Sequence, residues 1–142
     1  MKKTIINQNL RWFLAGMIFA NIGGQMAYSM LSLYMLKLGA SVAQVGMVFT
    51  LASLVPMVLQ IFGGWLSDTI GRLRVIAMGS SIAVFGYLIF AFAPNWQWIL
   101  IGLSIEYVSN SVVGPSFGAY ISEQSSTESR GRVFGITSGL YQ

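Results

Sequence analysis

The sequence contains no cysteine and no histidine. Without thiols there can be no disulfide and no thiolate metal site, and redox compartment leaves no trace. Without imidazole the commonest metal ligand and general base are missing as well. Charge is also scarce. Only 8% of the 142 residues are Asp, Glu, Lys or Arg, against 55% hydrophobic. A soluble domain carries about a quarter charged residues because its surface must face water, so this chain has too few to cover a globule. Its four acids are widely separated and no phosphate-cradling loop is present, which leaves almost no material for paired-acid or metal-assisted catalysis. No enzyme, no cofactor and no metal site is expected. The expected solvent is the bilayer.

The few charges divide the chain. Residues 12–36, 38–67 and 75–105 hold none. A run of about 18 or more uncharged apolar residues can cross the hydrocarbon, and it does so as a helix because lipid offers backbone groups no partners. The third run, at 31 residues, is too long for one crossing. It breaks at "APNWQW", where Pro94 and Asn95 favour a turn and Trp96 and Trp98 suit a membrane interface. The expectation is an all-α membrane protein, a transmembrane helix bundle with spans near 12–36, 42–66, 75–93 and 98–122. A fifth, incomplete span follows from about 133, which reads as part of a longer protein. A short amphipathic tail after four complete spans is the alternative. The start, "MKKTIINQNLRWFLAGMIFA", has the basic end and apolar centre of a signal peptide. Its uncharged run continues to Leu36, beyond the roughly 7–15 residues of a signal core, so a retained first span is expected.

Seven of the eight basic residues fall on one side of these spans. Lys2, Lys3 and Arg11 precede the first, Arg72 and Arg74 separate the second from the third, and Arg130 and Arg132 follow the fourth; only Lys37 lies opposite. Lys/Arg bias in short loops points to the cytoplasm. The N-terminus is therefore expected inside, in a cell (plasma) membrane, and the net charge of +4 carries no implication of nucleic acid. Gly23–Gly24, Gly63–Gly64 and the Gly114–Gly118 segment put small residues where helices could approach closely, although glycine is common in any membrane helix.

Polar residues inside the spans are the candidate chemistry. Glu106 lies about 12 Å into the fourth span if that span enters at Trp98, close to the middle of a core about 30 Å thick. An ionised carboxylate there costs on the order of 2.5–3.5 kcal/mol even on insertion scales, so it is expected to face a cavity or a partner and is a candidate proton carrier. Asn110, one turn later, shares its face. Asn21, Gln25, Tyr28 and Ser32 line one face of the first span by their spacing of four, three and four. Asn21 reaches a depth of about 14 Å, similar to Glu106. Two polar faces at matching depth suggest a shared wet cavity for a small solute and protons. The alternative is a set of interhelical hydrogen bonds with no transport role.

One stretch remains, "GGWLSDTIGRLR", Gly63 to Arg74, which gathers one acid and two arginines between two apolar runs. Asp68 is expected to end the second span, Gly71 to permit the reversal, and Arg72 and Arg74 to hold the loop inside and bond helix-end carbonyls or acids. Gly64, Leu66, Ser67, Asp68, Gly71 and Arg72 fit the pattern G-x-L-[SA]-D-[RK]-x-G-[RK]-[RK]. The stretch thereby resembles the signature loop between helices two and three of the major facilitator superfamily. Thr69 and Leu73 replace two of its usual basic residues, with Arg74 one place further on. After the fourth span, Glu123, six residues and then Arg130–Gly131 are similar to the segment that opens helix five in that family. The arginine that many of its drug antiporters carry early in helix four is absent here, and Glu106 is nearby instead.

The resemblance covers the whole chain, as helices one to four and the start of five in the N-terminal six-helix half. It implies a secondary active transporter that moves a small organic solute by alternating access, with helices one and four lining the cavity. It also implies that Gly64, Asp68, Gly71, Arg72 and Arg74 join Glu123 and Arg130 in a cytoplasmic charge network that favours one facing state. The partners expected are the bilayer, a small-molecule substrate, protons and the remainder of the protein's own chain. Two other readings stay open, a non-transporting four-span scaffold and a small oligomeric four-span exporter.

Overall fold

The computed structural model describes residues 8–125 together with Gly131, Phe134 and Gly135. Four long helices account for the regular structure of residues 8–125: α1 (Gln8–Lys37), α2 (Val42–Ile70), α3 (Arg72–Phe92) and α4 (Gln97–Gln124). Apart from Phe134 and Gly135, the fifth span expected from about 133 lies outside the described residues. The chain divides into two compact units, Met1–Met30 with Ala119–Gln142, and Leu31–Gly118. In the first, the rings of Phe13 and Tyr120 meet edge to face with centroids 4.9 Å apart, beside the buried Leu14 and Ile121.

The second unit holds most of the architecture, and its turns follow from local chemistry. α1 closes with Gly39 at a φ of 88°. The Gly39 amide donates to the Leu36 carbonyl and the Ala40 amide to the Met35 carbonyl, each at 3.0 Å, a Schellman arrangement that satisfies orphan carbonyls at the helix end. Two residues later Ser41 starts α2 with a capping box. Its hydroxyl accepts from the Gln44 amide at 3.3 Å, and its own amide donates to Gln44 Oε1 at 2.7 Å. Between α2 and α3 a single residue, Gly71, makes the reversal at φ 96° and ψ 141°. That backbone region is open to glycine and strained for any residue with a Cβ.

α2 continues through Ile70, so Asp68 lies in its last turn. The physical reason is that Gly71, not the charge, terminates the hydrogen-bonded ladder. α3 ends at Phe92 and the chain passes Pro94 and Asn95 before α4 begins at Gln97. Around this turn Leu31, Met35, Val48, Ala52, Ile99 and Leu103 form a buried core, with Phe49, Phe90 and Trp96 packed against it.

Small residues set how α3 and α4 meet. A Cβ built on Gly86 would lie 2.9 Å from the Gly102 carbonyl oxygen, and one on Gly102 would lie 3.1 Å from that of Gly86. One heptad away, Gly79 faces Ser109, whose hydroxyl donates to the Gly79 carbonyl at 2.6 Å. Residues seven apart on each helix therefore face their counterparts across an antiparallel pair. α2 joins this arrangement at Gly63, which lies against the backbone of Ser111 and Val112. Of the glycines marked in the sequence, Gly63 is a close contact. Gly23, Gly64, Gly114 and Gly118 have open space within 4 Å where a Cβ would stand.

α2 and α3 are long and apolar enough to cross a membrane by length and composition. Only 17% and 22% of their most apolar windows is buried within the chain, whereas the core helix of a soluble protein would be mostly covered. Phe62, Trp65, Phe85 and Phe92 on these helices are all well exposed, as expected of side chains whose solvent is lipid. α1 and α4 are interrupted more often by polar residues, which is where the candidate chemistry lies.

Candidate functional site

Glu106 projects from the middle of α4, where the close packing of Gly86 against Gly102 brings α3 within contact. The Gly86 Cβ position is 3.5 Å from both the Cβ and the amide nitrogen of Glu106. The glutamate is half-buried, and its two carboxylate oxygens have different surroundings. Oε1 accepts from Asn110 Nδ2 at 2.6 Å, the i, i+4 pairing that the helix spacing provides. Oε2 is buried and, among the described residues, has no hydrogen-bond partner. A buried polar atom without a partner is costly, so this oxygen is positioned for a proton, a water or a ligand group.

Glu106 and Asn110 are thus brought together. Asn21, Gln25 and Tyr28 of the first span belong to the other unit and are described by themselves: Asn21 is half-buried, while Gln25 and Tyr28 are exposed. Three other α4 hydroxyls are occupied by helix backbone: Ser104, Ser111 and Ser116 donate to the carbonyls of Leu100, Tyr107 and Val112. Among the described residues no group of three or more Asp and Glu side chains could hold a metal ion.

The second cluster surrounds the α2–α3 turn. Arg72 reaches back across Gly71 and pairs with Asp68. Its Nη1 also donates to Ser67 Oγ at 3.0 Å. Ser67 is 1% exposed, so one end of this clamp is anchored in packed protein while Asp68, at 64% side-chain exposure, stays at the surface. Gly64 is half-buried, Arg74 and Glu123 are exposed, and Arg130 lies outside the described residues. The contribution of Ser67 was missed as a site residue. Its signal was available, since a serine one position before the acid and five before the arginine lies on the helix face that the turn folds back upon.

Comparison with known proteins agrees with these features. Residues 13–142 match the sequence pattern of the Major Facilitator Superfamily. The chain is 25% identical over 124 residues to the "Quinolone resistance protein NorA" of Staphylococcus aureus (strain MRSA252), covering 87% of this chain and 31% of that protein. It is 26% identical over 161 aligned residues to the "Uncharacterized MFS-type transporter YqjV" of Bacillus subtilis (strain 168), covering 99% of this chain and 38% of that one. The chain therefore spans about a third of the length of the curated relatives it matches.

Proposed function

The chain belongs to the Major Facilitator Superfamily of integral membrane transporters, and from that premise we propose that it forms the N-terminal part of a secondary active transporter of a small organic solute. It works by alternating access, coupled to protons through Glu106. The observation that carries this reading is the divided carboxylate of Glu106, with one oxygen held by Asn110 and the other buried with no hydrogen-bond partner among the described residues. A membrane-embedded acid kept in this state has a function by default, because the same helix would be more stable with an apolar residue there. In the proposal Glu106 exchanges a proton as the protein alternates, and Asn110 supplies a hydrogen bond to the solute.

The α2–α3 clamp acts on the conformational equilibrium. Its Asp68–Arg72 pair favours one facing state by the difference in its energy between the two. Repeats that rock about a central site are the mechanism of this transporter type. The seven basic residues on one side of the spans support a cytoplasmic N-terminus, with the plasma membrane as the bilayer crossed. The direction is proposed as efflux of a drug or metabolite, supported by similarity to a relative whose name records quinolone resistance. The experiment is to reconstitute the full-length protein in liposomes and impose a pH gradient. Movement of an organic solute that follows the gradient supports the proposal, and a protein that moves none of a broad solute panel overturns it.

A further inference from the structure

Pro115 lies inside α4. Proline has no N–H, and its ring crowds the carbonyl four residues earlier, here that of Ser111. This carbonyl therefore lacks the amide that the interior of a helix otherwise supplies. The nearest hydroxyls are spent on its neighbours. Ser111 Oγ donates to the Tyr107 carbonyl and Ser116 Oγ to the Val112 carbonyl, each at 2.7 Å. Lipid offers no donor, and a proline inside a membrane helix is tolerated where a neighbouring helix satisfies the freed group.

The neighbour here is α2, at Gly63. A Cβ on Gly63 would collide with the Ser111 carbonyl oxygen and stand 2.9 Å from the Val112 Cα. The glycine hydrogen that takes the Cβ direction therefore points at that oxygen, the arrangement of a Cα–H···O contact between packed helices. Each end of this contact leads to one of the two sites. Ser67, buried like Gly63 and one turn further along the same face of α2, accepts from Arg72 of the clamp. Ser111 follows Asn110, which holds Glu106 Oε1.

We propose that Gly63 is a positioning residue that seats α4 on α2. It covers the carbonyl opened by Pro115 and thereby holds the Glu106–Asn110 turn in register with the Asp68–Arg72 clamp. Its part in transport rests on the reading of those two sites as coupling acid and clamp; the contact itself does not. A side chain at position 63 would meet backbone, which no rotamer change relieves, so α2 and α4 would have to part. Gly63 and Pro115 act as a pair, because the glycine is needed where the proline leaves a carbonyl open.

A double-mutant cycle in the full-length protein tests the pairing. Pro115→Ala restores the missing N–H, so the Ser111 carbonyl returns to the α4 ladder and leaves room beside Gly63. Gly63→Ala alone is expected to lower the folded-to-unfolded ratio in detergent by about fivefold or more, and transport per folded protein in proteoliposomes by about tenfold or more. In the Pro115→Ala background the same substitution is expected to cost less than about twofold in either measurement. Gly46→Ala, at a glycine of α2 with open space where its Cβ would stand, accounts for the change in helix propensity. A Gly63→Ala cost that is equal in both backgrounds, or absent from the first, overturns the inference. If Gly63→Ala does not fold, recovery of folded protein in the double variant supports it, and failure of both to fold overturns it. A stability cost that vanishes in the Pro115→Ala background while the transport cost persists overturns the positioning role. A protein that moves no solute is the separate failure of the transport reading, and the unfolding cycle still decides the contact.

Discussion

Replacing Gly86 by alanine probes the contact on which the site is built. The added Cβ would lie 2.9 Å from the Gly102 carbonyl oxygen and 3.5 Å from the Glu106 Cβ. Ordinary van der Waals contact begins near 3.4 Å, so α3 and α4 must part by about half an ångström at their closest approach. The obstruction is backbone, which cannot rotate away as a side chain could. Overpacking of this kind costs about 1–3 kcal/mol, or roughly a 5- to 150-fold fall in the folded-to-unfolded ratio. The assay is equilibrium unfolding of the full-length protein in detergent micelles as denaturant is added. Gly102→Ala is the companion, because its Cβ collides chiefly with the Phe90 ring at 2.6 Å, which can swing aside, and it is expected to cost less. A Gly86→Ala protein as stable as the unaltered one would refute the registered helix pair and the placement of Glu106 that depends on it.

The same interface makes a second prediction at Ser109, whose 2.6 Å hydrogen bond to the Gly79 carbonyl is buried. Ser109→Ala is expected to cost about 0.6 kcal/mol, the average for interhelical hydrogen bonds in membranes and within a range reaching about 1.7, read in the same unfolding assay; a cost near zero would contradict the contact. At the α2–α3 turn, Asp68→Asn removes the ion pair with Arg72. Asp68 is largely exposed, so stability is expected to change by no more than about 1 kcal/mol. Transport in proteoliposomes is expected to fall at least tenfold with expression intact, and wild-type transport would remove the clamp from the mechanism.

Much of this was legible from where charges are absent. The uncharged runs and the reversal at Gly71 needed only hydropathy and the conformational freedom of glycine. Asp68 lies inside the last turn of α2, whose ladder of backbone bonds runs on to Ile70. Glu106 and Asn110 were visible as a pair because they share one helix. Gly79, Gly86 and Gly102 were not, because their meaning lies in a partner helix. The seven-residue spacings of Gly79 to Gly86 and of Gly102 to Ser109 were there to read. Matching them required the register, which the turn at Pro94 and Asn95 sets.

The account turns on Glu106 as the group that links solute movement to protons. The direct measurement compares the full-length protein with its Glu106→Gln variant in proteoliposomes, following solute flux and internal pH under an imposed proton gradient. Glutamine keeps the size of the side chain and an acceptor for Asn110 but cannot exchange a proton at that site. The account predicts that the unaltered protein moves solute and protons together, and that the variant loses gradient-driven flux and proton movement while it still folds. Gradient-driven flux in Glu106→Gln with the proton dependence of the unaltered protein would contradict it.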